Sequence, residues 1–305
     1  MRAAMKWVIA VVAVLALLTE IGVRLLGFVD FPIYEANNKI GYIPAANQKG
    51  SFLNSNDWEF NSFHMGATEF SPSASVKDIL LIGDSIVLGG NPVKKLDKLG
   101  PRLEQSLSET GVAAKVWPIS AGSWALLNEL EWIRENPTVL TSVDEVVFVL
   151  NSADFGTASS WTCQTTHPLS NPKFATCYLF NKYVYALDAC GTNAPSSLLV
   201  KPRNLQEDLA SYIVLYGAKT RFILYPSRDE SASPSLRDKN LSAGALLLSS
   251  MQAKYYWFDA KEWKADSTYY RDDIHPTTYG NKVIATFIAK AITTDTRPTN
   301  GGEYE

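Results

Sequence analysis

From Asp78 onward the hydrophobic and polar positions fall into alternating blocks. Short apolar runs, "ILLI" (79–82), "AKVWPI" (114–119), "EVVFVL" (145–150), "RFILY" (221–225) and "YYWFD" (255–259), are separated by longer stretches of helical character. Those stretches are "PVKKLDKLGPRLEQSLSET", "WALLNELEWIREN", "NLQEDLASYIVLYG", "LRDKNLSAGALLLSSMQ" and "TTYGNKVIATFIAKAI". Apolar runs that are continuous rather than alternating belong to strands covered on both faces. Helices between such strands make crossover units. The pattern therefore predicts an α/β fold, with a mainly parallel five-stranded sheet between two helical layers. Ligands of such sheets bind beyond the carboxyl ends of the strands.

Two segments break the rhythm. Residues 29–77 are rich in Asn, Ser, Pro and aromatics without clear periodicity, and read as an irregular segment wrapped on the surface, with room for short strands. Residues 156–202 are too long for a simple connection and carry Trp161, Tyr178, Phe180, Tyr183 and Tyr185. Long insertions of this kind are binding loops, lids or structural excursions. The organisation expected is an N-terminal apolar segment (1–28), the wrapping segment (29–77), an α/β domain (78–295) and a short tail (296–305).

The N-terminus differs in kind. In "MRAAMKWVIAVVAVLALLTEIGVRLLGF", Arg2 and Lys6 precede an apolar run from Trp7 to Leu18, which alone has the length of a secretion signal. Continued to Phe28, the stretch reaches the ~20 residues a spanning helix needs. Glu20 and Arg24 interrupt it at a spacing that lets them pair on one helix face. No small-residue cleavage site follows Leu18, which favours a retained anchor over a removed signal. Positive charge on the short side keeps that end cytoplasmic and exports the domain. Both readings place the domain outside the cytoplasm, in the periplasm or beyond.

A length of 305 residues that are 46% hydrophobic allows one sizeable, well-filled domain. A formal net charge of -3 gives no electrostatic case for nucleic acid. There is no Cys/His cluster of metal-ligand spacing, no phosphate-binding loop and no dinucleotide fingerprint, so no metal or organic cofactor is expected. Cys163, Cys177 and Cys190 share the long insertion. In an exported chain two of them can pair. Cys163 with Cys177 is slightly preferred, against three unpaired thiols.

Candidate chemistry is sparse enough to enumerate. The first strand runs into Gly83-Asp84-Ser85, which places a hydroxyl just past a carboxyl end. A serine hydroxyl needs a base to become a nucleophile. The chain has only His64, His167 and His275. His275 stands in "YYRDDIHPTTYG", with Asp272 three residues earlier and Pro276 directly after. A proline there suits the first turn of the last helix. A carboxylate at that distance can fix the imidazole tautomer and leave Nε2 free for a hydroxyl proton. Asp273 competes with Asp272 for that role, and Asp84 more plausibly holds the turn.

With these residues the chain resembles the SGNH (GDSL-type) hydrolases over about residues 78–293. "IGDSIVLGG" matches the first block of that family and "DDIHPTTYG" its last, D-x-x-H-P. The resemblance implies a flavodoxin-like three-layer fold, Ser85 as nucleophile, His275 as base and Asp272 as its orienter. It also implies that the N–H groups of Ser85 and of Gly122, in "PISAGSW", bind the oxyanion. The third block departs from the family. Where G-x-N-D is expected the chain reads Asn151-Ser152-Ala153-Asp154, and Ala153 has no side-chain donor. Asn151, two residues earlier and on the same face of an extended chain, is the expected replacement.

The function this implies is a membrane-anchored serine esterase that removes O-acetyl or other short acyl groups from a cell-surface or secreted polysaccharide. An acyltransferase using the same residues, and an inactive carbohydrate-binding or assembly protein, are the alternatives. Trp124 and Asp154 are candidate substrate contacts. An acylated carbohydrate, the membrane and exopolysaccharide assembly proteins are the partners implied.

Overall fold

Each of the five apolar runs is a strand of a single parallel sheet. The computed structural model describes residues 2–185 and 194–294. The strands are β5 (Lys77–Gly83), β6 (Ala114–Ser120), β7 (Glu145–Leu150), β8 (Thr220–Leu224) and β9 (Lys254–Trp257). They pair in the order β6-β5-β7-β8-β9, every pair parallel. This is the doubly wound order whose first strand lies between the second and third. Its crevice opens where the chain leaves β5 in one direction and β7 in the other.

Side-chain alternation along β5 divides the core into two. Leu80 and Ile82 face a layer that includes α4 (Leu126–Glu135), α7 (Leu205–Tyr216) and α9 (Pro234–Ser250). Ile79 and Leu81 face α2 (Ser85–Leu88), α3 (Leu99–Glu109) and α10 (Thr278–Thr293). All four are completely buried, each worth about 1.5–3 kcal/mol of transfer free energy. The molecule is thus a three-layer α/β/α fold, as the run pattern predicts. Shorter helices α5 (Pro137–Ser142), α6 (Ala175–Phe180) and α8 (Arg228–Ala232) complete the set.

The wrapping segment is more regular than its sequence suggests. It forms two antiparallel hairpins, β1 (Tyr34–Asn37) with β2 (Gly41–Pro44), and β3 (Gln48–Phe52) with β4 (Asn56–Phe60). β2 is buried at every position and joins the α4 side of the core through Tyr42 and Ile43. The buried amide of Asn128 stitches this region to the rest. Its Nδ2 donates to Ile40 O (2.7 Å) and Ser159 O (2.8 Å), and its Oδ1 accepts from Ala125 N and Ser159 N. The approach of Ser159 needs a glycine at 41, where a β-carbon would come within 2.1 Å of Ser159 O.

The N-terminal stretch is one helix, α1 (Arg2–Leu25), with an apolar span from Ala4 to Leu25 that is unburied by the rest of the chain. Its last turns are attached to the domain. Arg24 pairs with Glu20 (2.8 Å) and also donates to the carbonyls of Pro172 and Lys173, both at 2.9 Å.

Cys163 is disulfide-bonded, whereas Cys177 is a free, exposed thiol. The expected Cys163–Cys177 bridge is therefore not formed. Cys177 sits on the exposed side of α6. Cys190 and the tail beyond residue 294 lie outside the described residues.

Candidate active site

β5 ends on Gly83, and Asp84 caps the short helix that follows by accepting a hydrogen bond from Ile86 N at 2.9 Å. No side chain fits at position 83, since a β-carbon would lie 2.5 Å from Val87 Cγ2 and 3.0 Å from Val149 O. The helix is closed after one turn by Gly89 in the left-handed region (φ 75°). This tight strand-to-helix turn lifts Ser85 to the rim of the sheet, beside the end of β7.

The imidazole that meets Ser85 arrives from the far end of the chain. Residues 270–276 form a narrow loop, with Arg271 N donating to His275 O (2.9 Å) and Tyr270 bridging Pro276. Pro276 precedes the last helix rather than opening it. Thr277 is the cap, its Oγ1 accepting from Gly280 N at 3.0 Å, so His275 belongs wholly to the loop. His275 Nε2 lies 2.9 Å from Ser85 Oγ, and Nδ1 lies 2.9 Å from both Oδ1 and Oδ2 of Asp272. Asp272 also accepts from the N–H groups of His275 (2.8 Å) and Ile274 (3.1 Å). Burial alone would raise its pKa, but those N–H groups and the imidazole hold it below the ordinary carboxylate value. Asp273 is exposed, and its side chain makes no hydrogen bond among the described residues, so Asp272 alone orients the ring. Arg271 ties the loop to the serine's helix by donating to Gly89 O at 3.1 Å.

The acceptor side is built by β6 and β7. A β-carbon at Gly122 would stand 4.0 Å from Ser85 Cβ, so the two backbones share one small space. Neither Ser85 N nor Gly122 N donates a hydrogen bond among the described residues. Gly122 O is held by the Tyr42 hydroxyl at 2.7 Å. Asn151, following β7, is 2% exposed. Its Nδ2 donates to Asp84 Oδ2 (3.1 Å) and its Oδ1 accepts from Ala153 N (2.8 Å).

Two expected substrate contacts are internal instead. Trp124 is 1% exposed in the core, its indole N–H on Tyr42 O, so neither ring face is open to a sugar. Asp154, also 1% exposed, accepts from Asn151 N (2.7 Å) and shapes the turn after β7. Both are packing residues.

Sequence reasoning missed His167 and Glu129. His167 belongs to the long insertion, where its ring packs on Tyr42 (4.0 Å) and Tyr34 (4.9 Å). Its Nε2 would lie 3.7 Å from a β-carbon at Gly122, on the border of the space in front of Ser85. Burial pushes its pKa down to about 4, the Gly122 backbone opposing only in part, so the ring is neutral at pH 7. Glu129, in the first turn of α4, is fully buried with no hydrogen-bond partner for either oxygen among the described residues. Burial, then the charge of Asp84, pushes its pKa well above the ordinary value. Burial likewise raises Asp84 to about 6, and Asp154 rises with it. Three carboxyls thus crowd beneath the serine. Nothing in the amino-acid pattern marks a lone loop histidine or one acid of "NELEWIREN" for such a place; only the tertiary fold does.

No protein family matches the chain, and no curated protein does. Among solved structures it is similar to the lipase/acylhydrolase from Enterococcus faecalis, at 13% identity over 71% of this chain and 95% of that one, with a TM-score of 0.44. It is also similar to the psychrotrophic esterase EstA from Pseudoalteromonas sp., at 11% identity over 71% of this chain and 96% of that one (TM-score 0.41). A third is a putative lipolytic protein of the G-D-S-L family from Desulfitobacterium hafniense, at 10% identity over 70% of this chain and 98% of that one (TM-score 0.40).

Proposed function

We propose that the protein is a membrane-anchored serine esterase whose domain works outside the cytoplasm, removing O-acetyl or other short acyl groups from a cell-surface or secreted polysaccharide. The observation that carries this reading is the unbroken contact from Ser85 Oγ to His275 Nε2 and from Nδ1 to both oxygens of Asp272, each step 2.9 Å. With Nδ1–H donated to Asp272, Nε2 is the acceptor for the serine proton. Ser85 Oγ attacks the ester carbonyl as that proton passes to Nε2, and the imidazolium is stabilised by the carboxylate. The oxyanion receives the N–H groups of Ser85 and Gly122. Asn151 Nδ2 is a third donor, since Asp84 takes only one of its two hydrogens. Collapse breaks the ester C–O bond, and His275 gives its proton to the departing alcohol. Water, activated by the same imidazole, then releases the acid.

Retention of at least the last turns of α1 is supported by the bonds of Glu20 and Arg24 to the folded domain, which a cleavage beyond Arg24 would remove. The test of the activity is release of p-nitrophenol from p-nitrophenyl acetate by the full chain in detergent. Ser85→Ala should abolish it with the thermal unfolding midpoint unchanged. No release by the native protein, or equal release by the variant, overturns the reading. Adding an oligosaccharide acceptor and analysing products distinguishes hydrolysis from acyl transfer.

A further inference from the structure

The long insertion carries an apolar surface that the site does not use. Helix α6 runs on into a single π-helical turn, Asn181–Tyr185. Phe174, Cys177, Phe180 and Val184 recur at intervals of three or four and share one face. That face is open: Phe174 is 68% exposed, Phe180 56% and Val184 67%, with Tyr183 and Tyr185 beside them at 69% and 77%. The opposite face holds the domain. Tyr178 stacks on Phe31 with ring centroids 5.2 Å apart and donates from its hydroxyl to Thr165 O (3.2 Å). An exposed aromatic stripe of this kind marks an interaction surface.

Its position says what covers it. Glu20, near the outer end of α1, accepts from Ala175 N (2.8 Å) and Thr176 N (2.9 Å), and Arg24 holds the carbonyls of Pro172 and Lys173. The start of α6 is therefore fixed at the level of Glu20, inside the apolar span Ala4–Leu25 by about one and a half helical turns. Leu25 (72% exposed), Leu26 (58%) and Phe28 (39%), at the end of α1 and just past it, are further exposed apolar residues. Lys182, partly buried between the stripe and the domain, adds a cation, its ammonium 5.6 Å from the Tyr178 ring, 5.7 Å from Phe31 and 5.9 Å from Tyr183. Aromatics with a basic residue beside them suit the headgroup level of a bilayer.

We propose that α6 and its π-turn lie in the headgroup–acyl boundary of the membrane crossed by α1, as a second contact with phospholipid. The inference rests on the reading of α1 as a retained anchor. Two contacts fix the domain's orientation on the membrane, where a single helix would leave it free to rotate. The insertion that touches lipid also carries His167 to the border of the site, so the site would be held at a constant height above the bilayer.

Cys177 provides the probe, being exposed and free on the stripe itself. The full chain is reconstituted into phosphatidylcholine–phosphatidylglycerol vesicles with a nitroxide on Cys177, a Cys177→Ser chain serving as labelling control. Collisions with dissolved oxygen and with a water-soluble nickel chelate are compared. A label on Val12→Cys reports α1, and one on Ser249→Cys reports a water-facing helix, both in the Cys177→Ser background. Support is an oxygen-to-nickel ratio at Cys177 several-fold above that at position 249 and below that at position 12. A ratio at Cys177 equal to that at 249, with position 12 deep in lipid, overturns the inference and leaves the anchor standing. Water-like ratios at both 12 and 177 overturn the anchor and the inference together.

Discussion

Glu129→Gln offers a direct measure of the proton held on the carboxyl buried under the serine. The native carboxyl is fully enclosed, has no donor for either oxygen among the described residues, and shares its surroundings with Asp84 and Asp154. An ionised carboxylate there is far costlier than a neutral acid. Above the ordinary carboxylate pKa of 4.5 the unfolded chain releases this proton while the folded protein keeps it. Stability therefore falls as pH rises, by about 1.4 kcal/mol per pH unit for one retained proton, until the folded group itself ionises. Glutamine keeps the shape and cannot ionise. Whatever its amide costs in the site is independent of pH and cancels in the slope. From about pH 5.5 to about pH 7.5, the variant should recover up to about 3 kcal/mol relative to the native chain. Asp84 and Asp154, also raised, keep part of the native slope in both proteins. Urea unfolding of the two chains at several pH values in that window is the assay. Parallel stability–pH curves would refute the reasoning, because they would mean that Glu129 is already charged in the folded protein.

Other outcomes follow from the same geometry. Gly83→Ala drives a β-carbon against Val149 O, a backbone atom that cannot swing aside, and should cost about 1–3 kcal/mol in urea unfolding as well as ester turnover. Asn151→Ala should lower kcat by about two to three orders of magnitude with KM little changed, and undiminished turnover would dispose of its donor role. Asp272 titrates below its ordinary value of 3.8, so its contribution is complete above that pH and is lost only as pH falls through the lower folded value. Asp272→Asn should accordingly lower kcat by the same factor at about pH 8 and about pH 9, above the ordinary imidazole range; a deficit that changes between them would show the carboxyl titrating there.

What was legible in the sequence followed burial. Strands enclosed on both faces must be apolar throughout, and the runs at 79–82, 145–150 and 221–225 coincide with strands to within a residue or two. The hairpins of the wrapping segment were not legible. β3 contains Gln48, Lys49 and Ser51, and its turn places Leu53 and Asn54 at positive φ (53° and 52°) without the glycine that usually announces such a turn. Ser85, Asp272 and His275 could be named because each sits in a short local pattern and the chain has only three histidines. Tyr42, Glu129 and His167 carry no local pattern. Their places are created by β2, α4 and the insertion meeting around Gly122 and Asp84.

The departure in the third block has a physical consequence that narrows the oxyanion question. Ala153 has no polar side chain, and its N–H is already donated to Asn151 Oδ1 at 2.8 Å, so residue 153 has nothing left to give a substrate. That same bond fixes the plane of the Asn151 amide, since Oδ1 is committed to Ala153 and one Nδ2 hydrogen to Asp84. Asp84 is in turn the cap of the helix that begins with Ser85. The remaining Nδ2 hydrogen therefore has its direction set by two bonds to the turns that flank the serine, whereas His167 reaches the border of the space from a separate segment. A third oxyanion donor with a preset direction is what low reorganisation cost requires, and Asn151 meets that requirement better than His167. His167→Phe, which keeps the ring packing on Tyr34 and Tyr42, should accordingly cost far less kcat than Asn151→Ala. The opposite ranking would move the donor role to the insertion.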